Sequence, residues 1–192
     1  LHNVEIDEDP IARGKKAISL GPSDPLTRAL MGHIYHHAGM NYAAEDEYRA
    51  SIDLNPNNGV PWFGLGWMLV WNNRYQEGRV SIIESLQLEP NDPMTGRKYV
   101  ALAVSHLGEN NIEEAKNAID KAVLSNVQWP AYVIQASIYA SIGELEIAKP
   151  IINNILKDQR DLGVSSFTRM LSSSGKAVDQ IADGLKKLNI PS

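Results

Sequence analysis

The sequence predicts an all-α protein built as a stack of antiparallel helix pairs, and three observations carry that reading. Prolines recur within "SLGPSDP", "DLNPNNG" and "QLEPNDP", placing Pro22, Pro56 and Pro90 at two successive intervals of 34 residues. A fixed period of this size marks stacked supersecondary units. With the sequence laid out on that period, the eighth position holds Gly32, Gly66, Ala103 and Ala136, and the twentieth holds Ala44, Gly78, Ala115 and Ala148. Small residues in both places let two antiparallel helices approach closely. The fifteenth position holds Gly39, Asn73, Asn110 and Gly143, the residue types that most readily enter the left-handed conformation needed to end one helix and reverse the chain.

The elements follow in order. Residues 8–21 read as the second helix of a truncated leading unit, and four units span 25–58, 59–92, 96–129 and 129–162, with three extra residues (Pro93 to Thr95) before the third. In each second helix, Tyr48, Ile82, Ile119 and Ile152 recur four residues before Ile52, Leu86, Val123 and Leu156, so one face is apolar by the i, i+4 rule. Residues 164–190 read as a C-terminal cap that covers the last exposed face of the stack. "SSSGK" is taken as the turn before the final helix. That helix carries Val178, Ile181, Leu185 and Leu188 at helical spacing, has Lys186 and Lys187 in its last turn, and is stopped by Pro191. The 192 residues form a single domain on this reading.

Trp62, Leu65, Gly66, Tyr75 and Pro90 fit the pattern W-x2-L-G…Y…P at its spacing, and on these residues the chain resembles the tetratricopeptide repeat (TPR) family. The resemblance implies a right-handed superhelix of antiparallel helix pairs, a TPR α-solenoid, whose concave groove binds extended or helical peptides. Three residues depart from the pattern: Arg28 replaces the aromatic in the first unit, Gln135 stands at a usually apolar position, and Pro150 falls early in a second helix, where it can bend it. More narrowly, "LNPNNG…GWMLVWNNRYQEG…LEPNDP", "SIGELEIAK" and "ADGLKKLNIPS" resemble the C-terminal repeat region of bacterial adenylate cyclases and related winged-helix transcriptional regulators. The opening "LHNVEIDEDP", without Met, basic n-region or apolar h-region, reads as a start inside a longer protein rather than as a signal peptide.

Composition narrows the function. The net charge is −5 and the 18 Lys and Arg are scattered, which argues against direct binding of nucleic acid, since gripping a phosphate backbone takes clustered cations. No apolar run reaches the length that spans a bilayer, and with no cysteine there is no disulfide or thiolate metal site. Both observations fit a cytoplasmic protein with no membrane role. The glycines of "GLG" (Gly64 to Gly66) lie inside a helix and cannot form a dinucleotide loop, and "SSSGK" lacks the glycine spacing of a P-loop. Glu45, Asp46 and Glu47, like Glu113 and Glu114, sit near helix N-termini, where carboxylates suit the dipole. Nothing assembles a nucleophile, base and orienter, so no catalytic residue and no cofactor are expected.

The candidate site is the concave groove. In "PWFGLGWMLVWNNRYQEG", Trp62, Leu65, Gly66 and Leu69 form one stripe that faces the paired helix and makes Trp62 a core residue. Phe63, Trp67, Val70 and Trp71 form a second stripe. It either faces the groove, at positions that do so in the resembled family, or packs on neighbouring helices or a second protomer. Groove positions of the first unit hold His33, His36 and His37. His33 and His37 have the i, i+4 spacing of a chelating pair, but two ligands fall short of a zinc site, so pH sensing and partner binding stand beside a solvated face as readings. His106 falls at a core position. Family members that bind chaperone tails clamp a carboxylate with Lys and Asn, where this chain has Ala29, His33 and Gly64. Arg97 is the one base expected near the groove.

Two function classes follow. The first is a non-catalytic protein–protein interaction scaffold, the regulatory part of a larger bacterial signalling protein, that binds a protein or peptide partner or a second copy of itself. The second is a sensor whose His- and Trp-lined groove takes a small ligand or a metal. An open groove favours the scaffold, and a pocket closed by the C-terminal helices favours the sensor.

Overall fold

The computed structural model describes residues 9–125, 127–171 and 175–191, and all regular structure among the described residues is α-helical. The leading eight residues and the serines of the "SSSGK" turn, residues 172–174, lie outside the described residues. The helices are α1 (Pro10–Leu20), α2 (Pro25–His37), α3 (Asn41–Leu54), α4 (Gly59–Trp71), α5 (Tyr75–Leu88), α6 (Thr95–Gly108), α7 (Ile112–Val123), α8 (Trp129–Ser141), α9 (Leu145–Asp158), α10 (Val164–Met170) and α11 (Lys176–Lys187). Helices α2/α3, α4/α5, α6/α7 and α8/α9 form hairpins, and each hairpin packs its second helix on the first helix of the next. The inner helices α2, α4 and α6 touch in series, so one wall of the stack is made of first helices alone.

Each hairpin is closed by the same device. Gly39, Asn73, Asn110 and Gly143 have φ of 74°, 65°, 62° and 85°, and each lies one residue beyond the helix C-cap. The N–H of the residue after it returns to the carbonyl five residues back: Met40 to Tyr35, Arg74 to Leu69, Asn111 to His106 and Glu144 to Tyr139, at 2.9 Å in every case. This is a Schellman closure, which satisfies carbonyls that a helix end leaves open. The same geometry ends α11 at Asn189, φ 58°, whose neighbour Ile190 donates to Leu185. Asn189, not Pro191, therefore stops the last helix. The left-handed residue comes first along the chain and completes the reversal.

The small residues sit at the crossings. Gly66 and Gly78 face each other across α4 and α5: a Cβ on Gly66 would lie 2.8 Å from the Gly78 carbonyl oxygen, and one on Gly78 2.9 Å from that of Gly66. Tyr48, Ile82, Ile119 and Ile152 are buried at the next crossing contact. Four residues on, Ile52 is buried while Leu86, Val123 and Leu156 are half-buried. The more deeply buried position is one residue earlier, at Ser51, Ser85, Ala122 and Ile155. The two serines there donate to the first carbonyl of their own hairpin, Ser51 to Pro25 (2.6 Å) and Ser85 to Gly59 (2.8 Å). A hydroxyl is tolerated because a backbone carbonyl, which has a second lone pair, faces it.

The departures from the repeat pattern are accommodated locally. The Trp62 indole N–H donates to the Pro56 carbonyl at 2.9 Å, and one repeat earlier Arg28 donates to the Pro22 carbonyl at 3.2 Å while pairing with Glu47. Arginine replaces tryptophan here because both offer a flat body and an N–H to the same carbonyl. Trp62 is consequently half-buried against the first core cluster rather than a core residue, its ring edge being held out to reach the turn. Gln135 is buried and donates to Asp120 (2.9 Å), whose other oxygen accepts from Tyr139 (2.8 Å). Helix α9 runs across Pro150.

Lys98 is fully buried, its Nζ placed 2.7 Å from Asp92, 3.3 Å from the Ser85 carbonyl and 3.8 Å from Glu89. This ammonium ties the connection between the second and third hairpins, since Glu89 also accepts from the Gly59 N–H at 3.0 Å. A buried charge is tolerable only when so partnered.

The C-terminal segment departs most from expectation. Helix α11 packs on α8 and α6, the inner helices, and not as a further layer on α9. The outer face of α9 stays exposed, Ile147 included. Rather than capping the end of the stack, α11 folds back along its inner wall.

Candidate functional site

Helix α4 is apolar on most sides, and its neighbours decide which rings stay accessible. Leu65, Met68 and Leu69 are buried in the first core cluster. Phe63, Trp67 and Trp71 climb the opposite side at i, i+4 spacing and remain half-buried, with ring centroids 5.9 Å and 5.6 Å apart in edge-to-face geometry. Val70 does not join them. It is 1% exposed, and its Cγ2 would lie 2.7 Å from a Cβ on Gly78. The side-chain-free Gly78 brings α5 close enough to cover it, which removes Val70 from the groove.

Trp67 and Trp71 form part of a basin of about 840 Å³. Its rim is set by His36, His37 and Asn41 at the α2–α3 corner, by Arg97 and Met94 at the start of α6, and by Gln128 and Ile134 around the start of α8. Met170 and Leu171, at the end of α10, wall one side. The basin thus unites His36, His37, Trp67, Trp71 and Arg97 of the expected residues. Phe63 and His33 extend it rather than line it: Phe63 stacks on Trp67, and the His33 ring lies 4.4 Å from that of His37.

The Arg97 guanidinium sits 4.8 Å above the Trp67 ring, a cation–π contact that orients it. Arg28, Arg49, Arg74 and Arg79 are all ion-paired, whereas Arg97 is exposed and has no carboxylate within ion-pair distance among the described residues. Partial burial, then the nearby charges of His37, His36 and Arg97, hold His33 below the usual imidazole range. Burial also lowers His36 and is only partly opposed by its hydrogen bond with Asn41 (3.4 Å). His33 and His36 are thus biased to the neutral form, and Arg97 is the fixed charge of the basin.

Sequence reasoning did not find Asn41 and Asn72, linked at 2.9 Å across the first and second hairpins, with Asn72 also donating to the Met68 carbonyl at 2.8 Å. Nor did it find the wall supplied by α10. The asparagines carried a weak signal, polar residues flanking a corner, but the wall depends on a chain reversal that no local pattern records. His106, expected at a core position as a buried or hydrogen-bonded ring, is half-buried, and its Nδ1 has no hydrogen-bond partner among the described residues. Among the described residues no group of three or more His, Cys, Asp or Glu could hold a metal ion. No described helix is long and apolar enough to cross a membrane. The basin offers an aromatic floor, the Arg97 cation, imidazoles and amides, which is chemistry for binding.

The comparisons agree with this architecture. The sequence model of the tetratricopeptide repeat matches residues 27–58. The human protein O-mannosyl-transferase TMTC2 is 35% identical over 63 residues, 33% of this chain and only 8% of that protein's length. Among solved structures, PilF of Pseudomonas aeruginosa aligns with a TM-score of 0.71 at 18% identity, covering 93% of this chain and 81% of that one. MamA of Desulfovibrio magneticus RS-1 aligns at 0.68 and 17%, covering 79% and 84%. YrrB, described as a TPR protein with an unusual peptide-binding site, aligns at 0.66 and 14%, covering 92% of each chain. The chain carries a tetratricopeptide repeat within an all-helical solenoid of the TPR fold, a class suited to protein–protein interaction.

Proposed function

We propose that the chain is a non-catalytic interaction scaffold that captures a segment of a protein partner in the α2–α4–α6 basin, with an apolar or aromatic side chain on Trp67 and Trp71 and a carboxylate on Arg97. The observation that carries this is Arg97 itself, a cation stacked on an accessible indole with no carboxylate in ion-pair distance among the described residues. Aromatic and arginine anchors dominate interface energies, and the peptide-binding site named for YrrB lends support. The finer parts of the proposal are action in the cytoplasm, within a larger bacterial signalling protein of the adenylate cyclase or winged-helix regulator type. The signalling-protein part rests on the sequence resemblance, the cytoplasmic part on composition, and self-association on the second apolar stripe of α4.

One observation favours the sensor reading: Met170 and Leu171 wall one side of the basin, which suits a compact acidic or aromatic small molecule. Selection of a random peptide library on the chain, followed by anisotropy titrations of enriched peptides, separates the two. The scaffold predicts peptides with an apolar residue near an acidic one, whose affinity falls at least about tenfold on Arg97→Glu or on Trp67→Ala with Trp71→Ala. Enrichment of nothing, or of peptides indifferent to these changes, overturns it.

A further inference from the structure

We propose that α11 is a resident ligand of the inner wall. On this view the surface formed by α6 and α8 is a seat for an amphipathic helix, which the chain fills with its own C-terminal helix and which a partner helix of the same pattern occupies when α11 lifts off. The inference extends the groove reading from the first half of the solenoid to the second, and it rests on that reading only in calling the inner wall a binding surface.

The seat is defined by repeat position. On α4 the fifth and ninth positions of the unit hold Phe63 and Trp67, which remain half-buried. The equivalent residues on α6 and α8, Val100, Val104, Val133 and Ser137, are all buried, in a part of the solenoid where α11 lies against both helices. The fit is close. A Cβ on Gly184 would come 2.2 Å from the Ser137 carbonyl oxygen, so α11 crosses α8 backbone to backbone, and only a residue without a side chain fits at the crossing.

The attachment is that of a docked ligand rather than of a repeat. Only one stripe of α11 is covered, by way of Ala177, Val178, Ile181, Gly184, Leu185 and Leu188, while Lys176, Asp179, Asp183, Lys186 and Lys187 face solvent. Among the described residues its polar ties to the repeats include the Ala177 N–H to the Tyr75 hydroxyl (3.4 Å), Gln180 to Asn110 (3.1 Å) and Lys187 to the Ser141 carbonyl (3.0 Å). The hairpins beneath close their helix ends through the Schellman turns, and among the described residues the Ser141 carbonyl is the one backbone group of the wall that takes a bond from α11. The pattern A-V-x-x-I-x-x-G-L-x-x-L states what the seat takes: small and branched apolar residues on one face of a helix, with glycine where it meets Ser137.

Two measurements on the full chain test this. In native-state hydrogen exchange, the amides of α11 are expected to open at least about tenfold more often than those of Val133 to Ala140, because a docked element opens below the global unfolding free energy. Exchange of α11 and α8 at one common rate overturns the proposal. In the second, Gly184→Val wedges α11 away from Ser137, and a fluorescein-labelled peptide of residues 175–191 is titrated into wild-type and variant chains. The variant is expected to keep the helical signal of the repeats and to bind the peptide at least about tenfold tighter than wild type, because release of the resident helix raises the fraction of competent seats. Equal binding to the two chains, or loss of α8 together with α11 in the variant, overturns the proposal. Neither readout involves Trp67, Trp71 or Arg97, so failure here is distinct from failure of the basin reading.

Discussion

Removing the buried charge at Lys98 should destabilise the chain more than any surface change, and the structure sets the size of the effect. Lys98→Met keeps the stem and volume but leaves Asp92 without its ammonium partner at 2.7 Å. Breaking a buried ion pair by deleting one member costs about 3–5 kcal/mol. Asp92 retains the Met94 N–H at 2.9 Å and has 18% of its side chain exposed, so water reaches it and the lower end applies, about 3 kcal/mol. For a chain of this size that corresponds to a fall in Tm of roughly 6–12 °C. Adding Asp92→Asn should recover part of the loss, since the second change removes the orphaned charge. The assay is urea unfolding followed by circular dichroism on the wild type, the single variant and the double variant.

The pH dependence gives an independent check of the same pair. Burial pushes the Asp92 carboxyl upward, but the Lys98 and Met94 hydrogen bonds and the Lys98 charge outweigh it, and the net result lies below the usual carboxylate range. A depressed native value stabilises the fold fully above the unfolded value, about 4, and this contribution is lost as pH falls through the native one. Lys98→Met should flatten that acid limb. A loss under about 0.5 kcal/mol, the range of ordinary surface changes, would refute the assignment.

Gly39→Val and Gly143→Val should each cost more than about 1 kcal/mol although a Cβ at either meets nothing within 4 Å, because the penalty lies in φ of 74° and 85°; urea midpoints unchanged from wild type would contradict this. Gly66→Ala should cost about 1–3 kcal/mol by overpacking against the Gly78 carbonyl, checked by the same unfolding curves and contradicted by a net gain. In NMR titrations His33 and His36 should show midpoints below a free imidazole. Their depressed values contribute stability present above about pH 6.5 and lost as pH falls through the native midpoints, so His33→Ala should reduce that slope.

The helices, their hairpin order and the reversal residues were legible because each is written locally. An αL residue at Gly39, Asn73, Asn110 and Gly143, and a small residue at each crossing, recur at a fixed period. What escaped depends on distant segments. Val70 belongs to the same helical stripe as Phe63, Trp67 and Trp71, and only the approach of α5 over Gly78 decides that it is covered. No local pattern marks Lys98 as buried, and its partners Asp92 and Glu89 come from the connection before α6. The amphipathic stripe of α11 was plain in sequence, but a stripe does not say which surface it meets, and here it meets α6 and α8 rather than α9. In the candidate site, residue types were readable where repeat position fixed the facing direction, as for Trp67, Trp71 and Arg97, and unreadable where another element supplied the wall.

The four tryptophans offer the most direct test of the basin as the binding site, since they occupy different environments in one chain. With 5-fluorotryptophan incorporated, each gives its own fluorine resonance, and a library-selected peptide is titrated in. The account predicts that the Trp67 and Trp71 resonances move together to saturation while that of Trp62, tied to the Pro56 carbonyl on the opposite stripe of α4, stays in place. Movement of Trp62 with Trp67 and Trp71 unchanged would contradict it.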